Sequence, residues 1–335
     1  MLCTEPRTDQ PRVTVVVPTY QRARYLPHLF AALGAQVYPA DRMEVIVVDN
    51  SSTDDTEAVV GAWARALPFP MRYHRKENNG PAASRNAGAR LAHGDVLAYT
   101  DSDCIPDPRW IVNAVPRLNE GAGMVAGPMI GLRRASDGLV QHKQIFHDDG
   151  TYPTGNVIVW RKWFEAVGGF DEQFGIYPWG GLVAGEDTDF AWRVRRAGAR
   201  VEWAYDARVG HQIAPEPTAM QLLMRPVILQ IFPRLLRSIP ELRETRMWNR
   251  YFVDEEHFRF DVALVGLAAA AVTKRRAPLL LTLPWISSLT PTLKASWRRG
   301  GARASAVYLA TKVHAGFGDA LVLSFASVRY RRVVL

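Results

Sequence analysis

The sequence predicts an α/β fold with a mainly parallel sheet and a mostly helical carboxyl-terminal region. The β-branched runs 13–18 and 44–48 lack polar alternation, which is typical of parallel strands covered on both faces. A helical pattern separates the two runs, and strand, helix and strand in this order form a right-handed βαβ unit. A third apolar run, 95–100, leads into two carboxylates that are one residue apart.

The remaining elements follow from local signals along the chain. Apolar residues at helical spacing predict a first helix over about 25–35, and capping residues precede a second helix over about 56–67. A short strand over 71–74 and a helix within 80–92 are expected next. The second half is expected to contain strands near 124–130, 156–160 and 201–205, and a glycine-rich loop over 175–185 before a helix over 187–197.

Residues after His211 differ in character from those before them. Prolines, arginines and leucines replace the sheet pattern, so we place a domain boundary near Pro215, between an α/β domain of residues 1–215 and a helical region of residues 216–335. The formal net charge is +8, and residues 262–335 contain eleven basic residues and one acidic residue, Asp319. This basic, apolar region either packs on the α/β domain or attaches to an anionic membrane surface.

Features that bear on localisation predict a cytoplasmic protein. The apolar stretches 262–272 and 279–289 are shorter than the roughly 18 to 20 residues of a membrane-spanning helix, and they fit interfacial or packed helices better. The two cysteines, Cys3 and Cys104, form no disulfide framework, and the polar first dozen residues lack the apolar core of a secretory signal. We therefore expect peripheral attachment to the inner face of the cell membrane.

Asp101 and Asp103 are the clearest chemical signal in the sequence. Side chains on an extended strand alternate between faces, so both carboxylates are expected to point the same way. They follow the 95–100 strand, and Asp49 ends the 44–48 run, so all three lie at the sheet edge where open α/β folds bind ligands. Two such carboxylates can hold a divalent cation, which can neutralise the diphosphate of a nucleotide leaving group.

Six short motifs occur in an order that resembles the family 2 glycosyltransferases, which are inverting enzymes with the GT-A fold. The motifs are Val17-Pro18-Thr19-Tyr20, Val48-Asp49-Asn50-Ser51-Ser52, residues 79–88, Asp101-Ser102-Asp103, residues 168–172 and Gly185-Glu186-Asp187. The resemblance covers roughly residues 13–211. It implies a Rossmann-like, mixed but mainly parallel sheet and the transfer of a sugar from a nucleotide sugar, most often a UDP-sugar.

The resemblance also implies which residues bind the nucleotide-sugar donor. They are Pro18, Thr19, Tyr20, Asp49, Asn79, Arg85, Asp101, Ser102 and Asn156. Among them, Asp49 is expected to accept a hydrogen bond from the base or the ribose, with helix capping as the alternative. Arg85 is expected to pair with phosphate or to brace the acidic pair, with a plain surface position as the alternative.

The metal ligands implied by the resemblance are Asp103, Asp101 and His211. Asp103 is the leading candidate, and Asp101 is either a second ligand or a contact to the ribose. His211 follows the 201–205 strand after a short turn, where members of the family often have a metal-binding histidine, although a structural hydrogen bond is the alternative. Carboxylate and imidazole ligands suit Mn²⁺ or Mg²⁺, and we expect one of these ions as the cofactor.

Glu186 and Asp187 are the expected catalytic acids. Inversion needs a base that takes the proton of the acceptor hydroxyl while its oxygen attacks the anomeric carbon. In the family the second acid is usually this base, so the resemblance implies that Asp187 is the base and that Glu186 binds donor or acceptor hydroxyls. Helix capping by both acids is the alternative.

One departure from part of the family predicts the transfer of a single sugar. Processive members carry a Gln-x-x-Arg-Trp motif after the base, whereas this sequence has Phe190-Ala191-Trp192-Arg193 there and no such motif later. We expect a hexosyl- or N-acetylhexosaminyltransferase whose acceptor is a glycan, a lipid-linked group or a small hydrophobic molecule. Trp179 and Trp192 are either sugar-stacking residues or core residues.

Other functions fit the sequence less well. A sugar-nucleotidyltransferase also uses a parallel sheet and a metal, but residues 19–22 do not form its glycine-rich phosphate loop. A dinucleotide oxidoreductase needs a G-x-G-x-x-G motif after the first strand, which this chain lacks. A non-catalytic carbohydrate-binding relative would not need Asp103 and Asp187 together. Nucleic-acid binding is not expected, because the basic region is mixed with long aliphatic runs.

Overall fold

The computed structural model describes residues 10–132, 145–173, 185–212 and 225–335, which form two compact units. The first unit consists of the described residues up to 212, and the second consists of residues 225–335. The predicted boundary near Pro215, the predicted loop residues 175–184, Trp179 and Cys3 all lie outside the described residues.

The described part of the first unit contains ten strands in two sheets. They are β1 (Val13–Thr19), β2 (Met43–Asp49), β3 (Met71–Arg75), β4 (Val96–Tyr99), β5 (Cys104–Pro106), β6 (Ala122–Ala126), β7 (Met129–Leu132), β8 (Val157–Trp160), β9 (Arg200–Trp203) and β10 (Val209–Gln212). Seven of them form the central sheet in the order β3-β2-β1-β4-β8-β6-β9. Within it, β8 runs antiparallel to β4 and β6, and the other neighbours are parallel. The predicted mixed, mainly parallel sheet is confirmed.

Helices of the first unit alternate with these strands. They are α1 (Leu26–Gly34), α2 (Thr56–Ala64), α3 (Gly80–Leu91), α4 (Trp110–Asn119), α5 (Arg161–Ala166) and α6 (Glu186–Arg196). Every residue of β1 and β2 is buried, as expected for strands covered on both faces. The close approach of α3 to this sheet requires a glycine, because a Cβ on Gly88 would lie 2.4 Å from Val16 Cγ1.

A second, three-stranded sheet was not predicted. Its order is β5-β10-β7, with β10 antiparallel to β5 and parallel to β7. The single strand predicted near 124–130 is therefore wrong: it divides into β6 and β7, and Pro128, which lacks an N–H donor, lies in the break. His211 follows β9 and a turn at residues 205–206, as predicted, but it lies within β10, a strand that was not predicted. Strands of three or four residues are too short to give a clear periodic pattern.

The second unit is mostly helical in its described residues, as predicted. It contains a 3₁₀ helix (Arg225–Gln230), α7 (Ile231–Ser238), α8 (Leu242–Thr245), α9 (Glu255–Thr273), a second 3₁₀ helix (Ala277–Thr282) and α10 (Leu283–Tyr330). The backbone of α10 is interrupted by non-helical angles at Gly300 and Gly301. Among the described helices, none is both long enough and apolar enough to cross a membrane.

Aromatic and charged contacts join α9 to α10. Phe260 packs edge-on against Trp285 and Phe317, with ring centres 5.1 Å and 5.4 Å away. His257 Nδ1 lies 2.7 Å from Asp254 Oδ1, and His257 Nε2 lies 3.3 Å from Asp319 Oδ2. The second unit therefore has its own core and its own internal ion pairs.

Candidate active site

The predicted site residues gather at the carboxyl edge of the central sheet. Asp49 ends β2, Asp101 and Asp103 follow β4, and Glu186 begins α6. Parallel pairing of β1 with both β2 and β4 brings these strand ends to one edge. The sequence prediction that the acidic positions converge there is confirmed for these strands.

Arg85 of α3 lies between two carboxylates that are distant in sequence. Its Nη1 donates to Glu186 Oε1 at 2.8 Å, and its Nη2 donates to Asp101 Oδ1 at 3.0 Å. The Arg85 side chain is only 6% exposed. Burial lowers the pKa of Arg85, but the charges of Asp101 and Glu186 outweigh burial and raise it, so the guanidinium stays protonated. The contact matches the predicted bracing of the acidic pair.

Asp187 lies in the first turn of α6. The preceding Gly185 has a φ of 89°, a left-handed conformation that glycine adopts without strain. Asp187 Oδ1 accepts from the Thr188 N–H at 2.7 Å, and the Thr188 hydroxyl donates to the Thr151 carbonyl at 2.7 Å. Burial and the charge of Glu186 raise the pKa of Asp187 to about 7, against a lowering effect of Arg85. A carboxyl group that titrates near neutral pH is well suited to take a proton from a hydroxyl.

Asp103, which directly precedes β5, lies beside His211 of β10, because these two strands are paired. Asp103 Oδ1 lies 3.4 Å from His211 Nε2, and Asp103 Oδ2 lies 3.9 Å from Arg22 Nη2. The pairing of His211 with Cys104 sets this approach, and the Gln212 N–H donates to the Asp103 carbonyl at 2.8 Å. Burial raises the pKa of Asp103 above its ordinary value, although the charge of His211 lowers it.

The chemistry of this pair fits a divalent cation. A carboxylate beside an imidazole, both partly exposed, supplies two ligands of the kind that Mn²⁺ accepts. Within the described ranges, no group of three or more His, Cys, Asp or Glu side chains is arranged to hold a metal. An ion at Asp103 and His211 would need further oxygen ligands from phosphate or water. Asp101 Oδ1 is engaged with Arg85, so Asp101 is the weaker of the two predicted carboxylate ligands.

Asp49 is fully buried and bonded to protein groups. Its Oδ1 accepts from the Ser52 N–H at 3.0 Å and from the Ser52 hydroxyl at 2.5 Å. Its Oδ2 accepts from the Tyr73 hydroxyl at 2.6 Å. These bonds leave the carboxylate with little room for a ligand, and they are not the expected helix cap, because α2 begins only at Thr56. Tyr73 had not been singled out in the sequence, because only the pairing of β3 with β2 brings it beside Asp49.

The other predicted donor-binding residues differ in exposure. Tyr20 and Asn79 are exposed, whereas Pro18, Thr19 and Ser102 are buried. Thr19 Oγ1 is buried with no hydrogen-bond partner among the described residues, so it has unused bonding capacity at the end of β1. These five residues remain predicted donor contacts.

Asn156, a predicted donor contact, and Trp192, a possible sugar-stacking residue, are both held by hydrogen bonds inside the protein. The Asn156 side chain donates to the carbonyls of Pro128 and Ala207, and its oxygen accepts from Trp110 Nε1 at 2.8 Å. This buried amide joins three segments, which argues against contact with the donor. Trp192 is buried, and its Nε1 donates to the Gly150 carbonyl at 2.9 Å, in agreement with the core alternative.

Arg22 is a site residue that the sequence reasoning missed. Its guanidinium faces Asp103, and its side chain is partly exposed at the same edge. The available signal was its place three residues after Thr19, just beyond the end of the first predicted strand. A cation there is suited to phosphate oxygens as well as to Asp103.

Comparisons with known proteins agree with this arrangement. Residues 14–176 match the family described as glycosyl transferase family 2, and residues 141–213 match that described as the N-terminal domain of galactosyltransferase. The chain is 28% identical over 215 residues to glycosyltransferase AglE of Haloferax volcanii, which covers 61% of this chain and 68% of that protein. It is 27% identical over 301 residues to validoxylamine A glucosyltransferase of Streptomyces hygroscopicus subsp. jinggangensis, covering 75% and 68%.

Solved structures with a similar fold include two glycosyltransferases. The mannosyltransferase PcManGT from Pyrobaculum calidifontis, in complex with GDP-Man and Mn²⁺, matches with a TM-score of 0.63 and 22% identity over 93% of this chain and 87% of that chain. S. aureus TarS 1-349 in complex with UDP-GlcNAc matches with a TM-score of 0.53 and 17% identity over 96% and 92%. From the family matches and the sheet-edge geometry together, residues 14–176 are identified with glycosyl transferase family 2, and the chain is a glycosyltransferase with the GT-A fold.

Proposed function

We propose that this protein is an inverting, metal-dependent glycosyltransferase that moves one sugar from a nucleotide sugar to an acceptor hydroxyl. The observation that carries the proposal is the pair of Arg85 hydrogen bonds, which links the acidic end of β4 to the start of α6. A donor-side carboxylate pair and a candidate base are thereby held at one sheet edge. Glycosyltransferase activity follows from the family match, whereas the inverting reaction and the requirement for a metal are our inference.

Asp187 is the general base in this proposal. With a pKa of about 7, a large share of Asp187 is ionised at neutral pH and able to accept the acceptor proton. The hydrogen bond from the Thr188 N–H holds one carboxylate oxygen and orients the other. Glu186 Oε2 is buried and, in the described part of the chain, has no hydrogen-bond partner, which supports a role for Glu186 in accepting a hydrogen bond from a sugar hydroxyl.

Asp103 and His211 are the proposed ligands of a divalent ion, of which Mn²⁺ or Mg²⁺ fits the donor set. When bound, the ion would offset the negative charge of the diphosphate leaving group. Arg22, which faces Asp103, adds a fixed positive charge for the same phosphates. Asp101 is proposed mainly as the partner of Arg85 and as a contact to the ribose.

The donor class is proposed as a UDP-sugar that carries a hexosyl or N-acetylhexosaminyl group. The structure of S. aureus TarS 1-349 was solved in complex with UDP-GlcNAc, and that of PcManGT in complex with GDP-Man and Mn²⁺. These complexes support a nucleotide-sugar donor, for which Pro18, Thr19 and neighbouring residues are the proposed pocket. A GDP-sugar is therefore the donor to test beside the UDP-sugars.

We further propose that residues 216–335 attach the enzyme to the inner face of the cell membrane, and that residues 1–215 carry catalysis. Val272 and Leu280 are 83% and 67% exposed, and they flank the exposed basic residues Lys274, Arg275 and Arg276. Apolar and basic side chains side by side are typical of segments that lie at an anionic bilayer surface. A lipid-linked or hydrophobic acceptor would fit such a location.

A donor screen tests the proposed reaction. The purified chain is mixed with UDP-glucose, UDP-GlcNAc, UDP-galactose or GDP-mannose, with Mn²⁺ or with EDTA, and thermal stability and donor hydrolysis are measured. We expect one donor to stabilise the protein and to be hydrolysed only with the metal. NMR of the first released sugar should show the anomer opposite to that of the donor. Retention of the donor's anomeric configuration would overturn the inverting assignment. Equal turnover in EDTA and in Mn²⁺ would overturn the metal assignment.

A further inference from the structure

The Arg85 ion-pair network has a geometry that donor binding does not explain. Both terminal nitrogens of the guanidinium are engaged by carboxylates, Glu186 at 2.8 Å and Asp101 at 3.0 Å. The Arg85 side chain is almost completely buried, and the central guanidinium carbon, Cζ, lies 5.7 Å from the centre of the Phe170 ring. A guanidinium that is so enclosed has little surface left for a phosphate.

The network spans elements that the chain connects only through long intervals. Arg85 lies on α3, Asp101 follows β4, and Glu186 begins α6, which is 101 residues further along than Arg85. The planar fork of arginine can donate to two carboxylates at once, which the single ammonium of lysine cannot do in the same geometry. Arg85 therefore links the helix turn that carries Asp187 to the end of β4, beside the Thr188 hydroxyl that donates to the Thr151 carbonyl.

We propose that Arg85 is a positioning residue that holds the start of α6 against the end of β4, and thereby fixes Asp187 relative to the bound donor. This inference rests on the function proposed above. It differs from a phosphate-binding role in its consequence: loss of Arg85 should impair the transfer step while leaving nucleotide affinity nearly unchanged. A displacement of about 1 Å between reacting groups is enough to cost roughly 10²-fold in rate.

The charges around Asp187 mean that loss of Arg85 should also change the pH dependence of the rate. In the described structure, the charged groups that act on Asp187 are Glu186 from α6, Arg85 from α3 and Asp101 from the end of β4. Two of these three are negative, and Arg85 is the one that favours ionisation. Removing its charge should move the acid limb of the pH–rate profile to higher pH by about 1 to 3 units, whereas a lysine should largely preserve that limb.

The test compares Arg85→Lys and Arg85→Met with wild type. Donor hydrolysis gives kcat and KM between pH 5 and 9, and calorimetry gives the affinity for UDP with Mn²⁺. We expect both variants to lose roughly 10²-fold in kcat with nearly unchanged UDP affinity, and only Arg85→Met to show the shifted acid limb. Arg161→Lys is the matched control, since Arg161 donates to the carbonyls of Ala92 and Gly94, just before β4 begins. Its acid limb and its kcat should resemble wild type.

Two outcomes would overturn the inference. A fall in UDP affinity that accounts for the lost turnover would assign Arg85 to the diphosphate. If both Arg85 variants fail to fold, Asp101→Asn and Glu186→Gln decide, because two carboxylates that share one guanidinium should have non-additive effects on kcat. Additive effects of the two substitutions on kcat would contradict the inference that Arg85 links both carboxylates. A wild-type enzyme that hydrolyses no nucleotide sugar would instead refute the proposed function, so the two failures are distinct.

Discussion

Carboxylates at the sheet edge fall into two classes by the partners that surround them. Asp49 accepts three hydrogen bonds from Ser52 and Tyr73, and Asp101 is paired with Arg85. Asp187, by contrast, accepts chiefly from Thr188, and Asp103 has longer contacts to His211 and Arg22. A carboxylate that is fully satisfied by protein groups stabilises the fold. One with spare capacity is available to a proton or a metal ion.

Replacing Asp187 separates proton transfer from donor binding. Asp187→Asn preserves the shape of the side chain but cannot accept the proton, so kcat should fall by about 10² to 10⁴-fold while UDP affinity is retained. In wild type the rate should decline as the pH drops below about 7, because the base becomes protonated, and this limb should be absent from the residual activity of the variant. Steady-state kinetics from pH 5 to 9 measure both effects. Near-normal turnover in Asp187→Asn, with an inactive Glu186→Gln, would show that Glu186 is the base.

Replacing Asp103 tests the metal assignment without relying on turnover. In wild type, Mn²⁺ should raise the thermal stability of the UDP complex, because ligand that binds only the folded state stabilises it. Asp103→Asn should abolish this Mn²⁺-dependent increase and leave the stability of the free protein nearly unchanged. Asp107→Asn is the control, since Asp107 is an exposed carboxylate four residues further along. An undiminished Mn²⁺ effect in Asp103→Asn would place the ion elsewhere.

At the scale of elements, helix α3 combines three functions in four consecutive residues. Arg85 reaches the acidic cluster, and Asn86 both donates to the Phe170 carbonyl and accepts from the Phe170 N–H, at 2.8 Å each. Gly88 lies against Val16 of β1 and Val48 of β2. Arg85, Asn86 and Gly88 of the motif over residues 79–88 are therefore explained by ion pairing and packing.

The close packing of α3 predicts opposite effects of alanine at two helical glycines. Gly88→Ala would place its Cβ 2.4 Å from Val16 Cγ1 and 3.2 Å from Val48 Cγ2, so we expect destabilisation by about 1 to 3 kcal/mol. Gly61→Ala on α2 meets no atom within 4 Å and should stabilise by about 0.5 to 1 kcal/mol through helix propensity. Denaturant unfolding of the two variants measures the difference. A neutral Gly88→Ala would mean that α3 shifts easily on the sheet.

The His257 ion pair between α9 and α10 predicts a pH dependence of the second unit. Burial lowers the pKa of His257, but Asp254 and Asp319 raise it more strongly, from the ordinary 6.5 to about 9. Its stabilising effect is thus complete below pH 6.5 and is lost as the pH rises through 9. Asp319→Asn should cost on the order of 1 to 2 kcal/mol at pH 6 and much less at pH 10. Arg259→Gln, which breaks the exposed Arg259–Glu255 pair, should show no such pH dependence.

At the scale of the whole molecule, charge and exposed apolar surface are concentrated after residue 261. Five apolar side chains on the second half of α10 recur at helical spacing and are all exposed: Val313, Phe317, Leu321, Phe325 and Val328. Lys312 and Asp319, which pair with Glu256 and His257, lie on the opposite side of the helix, whereas Phe317 also packs against Phe260 of α9. An exposed row of apolar side chains is typical of a surface that contacts a partner or a membrane.

Vesicle binding tests the proposed membrane attachment. Changing Lys274, Arg275 and Arg276 together to Gln should weaken binding to phosphatidylserine-containing vesicles by about 3 kcal/mol, at roughly 1 kcal/mol for each residue. Changing Arg12, Arg65 and Lys162, which are exposed in the first unit, should have much less effect. Sedimentation with vesicles at low and high salt provides the measurement, because salt screens this attraction. If wild type ignores these vesicles at low salt, the membrane proposal is wrong.

The sequence predicted the order of the main strands and helices because their signals are local. Continuous β-branched runs are typical of buried parallel strands, and β1 and β2 have them, while β4 is a short apolar run; α2 follows the serine- and aspartate-rich residues 51–55. The edge that carries Asp49, Asp101 and Asp103 followed directly from the ends of these runs. The short strands β5, β7 and β10 were missed because three or four residues carry too little periodicity.

The sequence by itself determined the family, the mainly parallel sheet and the edge where the acidic residues meet, because strand type and chain direction depend on neighbouring residues. Only the tertiary structure decided the partner of each side chain. Pairing of β10 with β5 placed His211 beside Asp103, and packing of α3 placed Arg85 between Asp101 and Glu186. It also assigned Asn156 to three internal hydrogen bonds. Contacts between residues more than a hundred positions apart depend on strand register and helix packing, which no local pattern specifies.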